Sequence, residues 1–260
     1  MFLFCKNLDE DFTFMRQGVE QGVITPERLH DAVTKVLALK TALRLFEKQT
    51  DGTLLPEANA APSQQELGLH DRWALECARK SVTLVKEEPG VLPLSPAKTP
   101  RILLYPLQAE QGVIYSAASG VMEQIIALLT QEGFQVSVFT PNPNGLEGLM
   151  DSQKAYTDRY DLMLYIANLA TKSNQTTVRI EWAQPMGANV PSFLSVIPTV
   201  FVSVESPYHL LDVPRVRTYI NTYHSSPHVL RALVNKLMGR EPFEGKSPVD
   251  PFCGMWDTHL

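Results

Sequence analysis

The sequence predicts an α/β fold, a three-layer αβα sandwich around a mostly parallel sheet, and three observations carry that reading. Short runs rich in Leu, Ile and Val, such as Asp161 to Ala167 and Thr199 to Val204, are what strands look like when helices cover both faces of a sheet. These runs alternate with helical patterns, and parallel neighbours require crossovers between them. Finally, residues 74 to 94 join a helix directly to a short strand that Pro89-Gly90 ends, marking where a leading tail gives way to the sheet.

In order along the chain, residues 8 to 22 set Leu8, Phe12, Met15 and Val19 at three- and four-residue steps, with Asp9, Glu10 and Asp11 at the positive end of the helix this spacing implies. Thr25 caps a second helix with Pro26 at its first position. Its stripe of Leu29, Ala32, Val33, Val36, Leu37, Leu43 and Phe46 needs a partner surface that the first helix alone cannot supply. Residues 47 to 62 lack a sustained apolar period and read as a linker. Ser63 then caps a helix whose apolar face includes Leu67, Trp73, Leu75 and Ala78.

The repeating part follows. Val82 to Val85, Ile102 to Leu104 and Phe134 to Phe139 read as strands, with a helix over about 117 to 132 stopped by Gly133. The two Val- and Leu-rich strands come next, and a last helix runs from Ser226-Pro227 to Met238-Gly239. The domain reading is therefore a helical segment 1–46, a linker 47–62, the sandwich 63–245 and a tail 246–260. Ligands of such sheets bind beyond the carboxyl ends of the strands, which directs attention to the segments after residues 105, 140, 168 and 204.

The formal charge of −5 and the lack of a basic run with interleaved aromatics argue against nucleic acid and anionic membrane as partners. The stretch Met1 to Lys6 has an apolar start but no basic region before it, and no later run is long enough to span a bilayer. The chain thus reads as soluble, with its compartment undetermined. Phe2-Leu3-Phe4 resembles a buried strand cut at its leading edge, which predicts that Met1 lies inside a longer native protein. Cys5, Cys77 and Cys253 have neither disulfide-framework nor zinc spacing and are expected to be buried thiols.

The dinucleotide fingerprint, the phosphate-binding Walker loop, the Gly-x-Ser-x-Gly elbow and His-Glu-x-x-His are all missing, and no cofactor or metal is expected. Pro141 to Gly145 is a turn by composition. His224 and His228 are four apart, but Pro227 starts a helix between them and breaks the geometry of a metal pair. His209 and Asp212 suit either a carboxylate-oriented imidazole or local turn bonding. Asn168, Ser173, Asn174, Gln175 and Arg179 gather neutral hydrogen-bonding groups and one cation after a strand, a set suited to sugar hydroxyls or an acetamido group, or to a loop closing on itself or on a neighbouring domain. Asn174-Gln175-Thr176 is also a glycosylation sequon. Glycoside chemistry needs two opposed carboxyl groups, and Glu181 and Glu205 make no convincing pair with each other or with Asp212.

Ile24 to Lys40, Leu45-Phe46, Ala78 to Lys86, Leu92-Pro93-Leu94 and Ala232 to Gly239 leading to Glu244 to Val249, in that order and spacing, resemble glycoside hydrolase family 3. The resemblance covers nearly the whole chain. It implies that residues 1 to 46 are helices left from the end of a (β/α)8 barrel, that the barrel with its nucleophilic aspartate lies upstream, and that the sandwich is the second domain. In the family's β-glucosidase branch an acid/base glutamate follows a strand like Asp161 to Ala167. Here Asn168-Leu169 follows instead, which points to the β-N-acetylhexosaminidase branch, whose acid/base is an Asp-His pair on a barrel loop. Ser173 to Ile180 and Pro207 to Pro214 also look similar to that branch's second domain. The resemblance therefore implies N-acetylglucosamine-containing carbohydrate and an N-terminal barrel as partners of the intact protein, and no catalytic residue in this chain. The alternative is a sugar-binding or protein-interaction module with a flavodoxin-like sheet. The stripe from Leu29 to Phe46 also invites self-association.

Overall fold

The first helix, α1 (Leu8–Glu20), starts where Asn7 turns its side-chain oxygen onto the Glu10 N–H at 3.3 Å. The computed structural model describes residues 6–55, 62–108, 120–140, 152–171, 179–183, 187 and 189–255. Two compact units divide the chain, Met1–Ser63 and Gln64–Leu260.

In the first unit α1 is followed by α2 (Pro26–Ala42) and α3 (Leu45–Thr50). Thr25 caps α2 through the Arg28 N–H at 3.2 Å, and Pro26 occupies the first turn, where its missing N–H costs nothing. None of the three helices holds a buried residue, and Phe12 is 69% exposed. The stripe foreseen on α2 is present as an exposed face. The Phe2-Leu3-Phe4 strand lies outside the described residues.

The second unit is the sheet. It contains α4 (Gln64–Ser81), β1 (Thr83–Lys86), β2 (Arg101–Gln108), α5 (Val121–Gln131), β3 (Gln135–Val138), α6 (Gln153–Arg159), β4 (Leu162–Asn168), β5 (Thr199–Ser203), β6 (Thr218–Asn221) and α7 (Pro227–Leu237). The six strands lie in the order β1-β6-β5-β4-β2-β3. All pairs are parallel except β1 with β6. This is the mostly parallel α/β sandwich expected, with one antiparallel edge added. The chain reverses direction across the sheet between β2 and β4, because β3 lies to one side of β2 and β4 to the other.

Every residue of β4 and β5 is buried, which explains their unbroken apolar sequence. Alternate residues feed two cores. Leu162, Leu164, Ile166, Val200, Val202 and Ile220 face α4, α5 and α7. Met163, Tyr165, Ala167, Phe201 and Tyr219 face the other side, where Tyr156 of α6 and the crossovers carrying Leu210, Val213 and Val216 cover them. On that face five rings form a row, Phe139–Tyr105–Tyr165–Phe201–Tyr219, with successive centroids 4.6, 4.4, 5.8 and 5.3 Å apart.

Several local details differ from the sequence reading. β2 runs on to Gln108 through Pro106, because β3 ends opposite Leu104 and leaves β2 an edge on that side, where proline is tolerated. Of the apolar face foreseen for α4, only Ala78 is buried, while Leu67 and Trp73 are exposed. The thiols of Cys77 and Cys253 are exposed, not buried: Cys77 falls on the outward side of α4 beside buried Ala78, and Cys253 sits in a turn with positive φ. Cys5 lies outside the described residues. Gly133 ends α5 as foreseen, at φ 94°, donating to the Thr130 carbonyl while the Phe134 N–H reaches Leu129. Gly239 does the same after α7, where an added Cβ would stand 2.8 Å from Pro93.

Candidate functional site at the carboxyl ends of the strands

Three parallel strands end in polar residues, β4 in Asn168, β5 in Ser203 and β6 in Asn221, all buried. Apolar strands tolerate such residues where loops leave the sheet and hydrogen-bonding partners are at hand. Asn168 stands in register with Gln108 at the end of β2, beside the point where the strand order reverses. Ser173, Asn174 and Gln175, the neutral groups expected just beyond, lie outside the described residues, as does the Pro141–Gly145 turn.

Arg179 emerges after that stretch and is bound from Nε and Nη2 to Oδ1 of Asp212, while Oδ2 accepts the Ile180 N–H at 3.2 Å. The Asp212 side chain is 7% exposed and the Arg179 side chain 60%. The carboxylate is thus the buried anchor and the guanidinium its hydrated partner. This pair ties the β4–β5 crossover to the β5–β6 crossover, so it joins two loops 33 residues apart in sequence. The cation foreseen as a ligand contact is already engaged.

His209 and Asp212 do not bond each other. The Ser203 hydroxyl donates to the Ser206 carbonyl, so its lone pair accepts from His209, whose Nδ1 lies 2.9 Å away. That arrangement puts the imidazole proton on Nδ1. The ring is fully buried, and burial pushes its pKa down, with the Asp212 charge acting upward and Arg179 downward. The neutral imidazole is closed off from solvent. Neither a carboxylate-oriented base nor purely local turn bonding describes it; it fastens the one-turn 3₁₀ segment His209–Leu211 to the end of β5.

Sequence reading missed β6, and with it the polar residues that follow it. Among the described residues His209 Nε2, Tyr219 OH, Asn221 Oδ1 and Tyr223 OH are buried without a hydrogen-bond partner, and Tyr223 has φ 62°, where a non-glycine residue is strained. Thr222 holds this corner by donating its hydroxyl to the Val204 carbonyl at 2.8 Å. The signal available was the buried quartet Thr-Tyr-Ile-Asn, too short and too polar for a period to show.

His224 and His228 make structural bonds. His224 Nδ1 accepts the Ser226 N–H at 2.9 Å, and His228 Nε2 meets Asp71 of α4 at 2.8 Å. Among the described residues no group of three His, Cys, Asp or Glu side chains is placed to hold a metal. Glu181 is exposed and Glu205 half-buried, and Asp212 is paired with Arg179. What the described carboxyl ends supply is positioning and hydrogen bonding.

No family model matches the chain. It is 55% identical over 261 residues to a protein of Cellulomonas fimi named beta-N-acetylglucosaminidase/beta-glucosidase, an alignment covering 100% of this chain and 45% of that protein. A solved structure described as beta-glucoside phosphorylase BglX is 41% identical with TM-score 0.71, covering 98% of this chain and 44% of that one. A fungal multi-domain GH3 beta-N-acetylglucosaminidase, 17% identical with TM-score 0.50 over 92% of this chain and 25% of its own, shares the fold. The chain spans less than half the length of each of these relatives.

Proposed function

Since the chain is the C-terminal part of a glycoside hydrolase family 3 protein, we propose that it is the αβα domain of an enzyme that removes terminal β-linked N-acetylglucosamine from cell-wall or chitin-type sugars, with retention of configuration. Residues 1–46 would be the last helices of the catalytic barrel, 47–62 the linker, and 63–245 with the tail 246–260 the supporting sandwich. The observation that carries this reading is the end-to-end likeness to a protein named for that activity, at 55% identity. A local feature supports the same branch: β4 ends in Asn168-Leu169 and not in a carboxylate. Retaining hydrolysis needs a nucleophile and an acid/base on opposite sides of the bond, and on this reading both come from the barrel. The sandwich then contributes Asn168, Ser173, Asn174, Gln175 and Arg179, or part of that set, to the sugar or to the barrel loops.

The test uses two proteins. The 260-residue chain alone should release no aryl group from an aryl β-N-acetylglucosaminide above buffer. The same chain joined to its upstream coding sequence should turn the substrate over, and turnover by the short chain would sink the proposal.

A second reading rests on the relative described as a phosphorylase at 41% identity. In that case phosphate takes the place of water in the second half-reaction. Phosphorus NMR of the extended protein's products separates the two, since a sugar 1-phosphate forms only by phosphorolysis.

A further inference from the structure

One cleft in the sheet unit lies away from the carboxyl ends of the strands. It measures about 680 Å³ and lies beside the amino ends of β5 and β6, between the crossover segments around 190–195 and 212–217. That volume is within the range of ~300–1,000 Å³ usual for small-molecule sites.

Its wall combines three kinds of group. Trp182 and Leu194 are half-buried and pack against the aromatic core, which fixes the indole as a firm apolar surface. Ser192 adds a hydroxyl. Three charged side chains complete the lining, Asp212, Arg215 and Arg217. Two of them are neutralised on site: Arg217 bonds Glu88 at 2.7 Å, and Asp212 is held by Arg179 and the Ile180 N–H. Arg215 forms no ion pair among the described residues and is exposed. The wall therefore carries one uncompensated guanidinium, opposite charges held in place by their own partners, and an aromatic face.

We propose that this cleft binds a mono- or disaccharide bearing one anionic group, a carboxylate or a phosphate. The flat indole suits the C–H face of a pyranose ring, as aromatic side chains suit partners with one apolar and one polar side. Arg215 supplies the forked donor that matches a carboxylate or phosphate oxygen pair. The hydroxyl of Ser192 and the Arg217 guanidinium are available to sugar hydroxyls, while Asp212 stays the buried anchor of the wall. The site depends on no catalytic group and stands whether or not the parent hydrolyses N-acetylglucosaminides.

Isothermal calorimetry on the full chain tests it with four ligands: glucuronate, glucose 6-phosphate, glucose and inorganic phosphate. Saturable binding of at least one charged sugar, about tenfold or more tighter than glucose and than phosphate alone, is expected, and the two charged sugars tell carboxylate from phosphate. Arg215→Ala should reduce the charged sugar to the level of glucose, with Arg215→Lys intermediate. Trp182→Ala should weaken every sugar about tenfold and leave phosphate unchanged. Equal affinity for glucose and the charged sugars would overturn the charge assignment. Equal affinity for phosphate and glucose 6-phosphate would overturn the role of the indole, and no saturable heat with any ligand would overturn the site.

Discussion

α2 and α7 begin alike and end differently. Each starts with a hydroxyl residue followed by proline, Thr25-Pro26 and Ser226-Pro227, and in each the hydroxyl accepts the N–H three residues on. Each carries an apolar period. Yet α7 buries Val229, Leu230, Ala232, Leu233, Val234, Lys236 and Leu237, whereas α2 buries none. Capping and period encode a helix and a face. What covers the face is decided by the rest of the protein, and for α2 the relatives of more than twice this length supply the candidate. Lys236 adds a second lesson, since it is buried with its ammonium donating to the Pro242 carbonyl, while burial pushes its pKa down.

The sharpest way to break this contrast is to delete the same side chain from both helices. Leu233→Ala should cost about 3 kcal/mol in urea unfolding, because its site is closed on all sides, whereas Leu37→Ala should cost less than about 1 kcal/mol. Equal costs would mean that the α2 face is covered after all. Next in size, Asp212→Ala should cost about 1–2 kcal/mol by releasing both the Arg179 pair and the Ile180 N–H, and should raise hydrogen exchange in both crossovers.

The pH dependence is smaller and has a defined sign. A buried neutral imidazole binds its proton less readily than the unfolded chain does, so His209 lowers stability as pH falls below about 6.5 toward its depressed folded value. His209→Asn should flatten the drop in denaturation midpoint between about pH 7 and pH 5. Asp161 acts in the same direction at lower pH. Its hydrogen bonds from Arg101 hold its pKa down, so the stability it gives is full above about pH 4 and is lost as acid protonates it. The smallest effect returns to the caps. Ser226→Ala and Thr25→Ala should each remove about 1 kcal/mol or less from their own helix, read by circular dichroism.

The parts of the fold that were legible were those whose surroundings are uniform. β4 and β5 are enclosed on both faces, so every position demands an apolar side chain and the run is visible without a period. α5 and α7 have glycine stops and strong amphipathic patterns, and α7 a serine cap as well. β6 was invisible because its buried positions carry Thr218 and Asn221, whose roles depend on chain distant in sequence: Thr218 accepts the Glu88 N–H at 3.1 Å. α6 is only two turns long, and its one buried residue, Tyr156, gives no period. At the candidate site the residue types were readable and their pairings were not. Arg179 and Asp212 are 33 residues apart and His209 bonds Ser203, connections that only the crossovers' path determines.

The row of five rings across the sheet has an optical consequence. Burial holds the hydroxyls of Tyr105, Tyr165 and Tyr219 protonated far above the ordinary tyrosine range. In an alkaline titration these three phenols therefore stay dark to the tyrosinate absorbance band after the ordinary tyrosine range has been passed. Their late, abrupt ionisation would coincide with the strands coming apart, so the protein carries, without any label, a colour change that reports the opening of its own sheet.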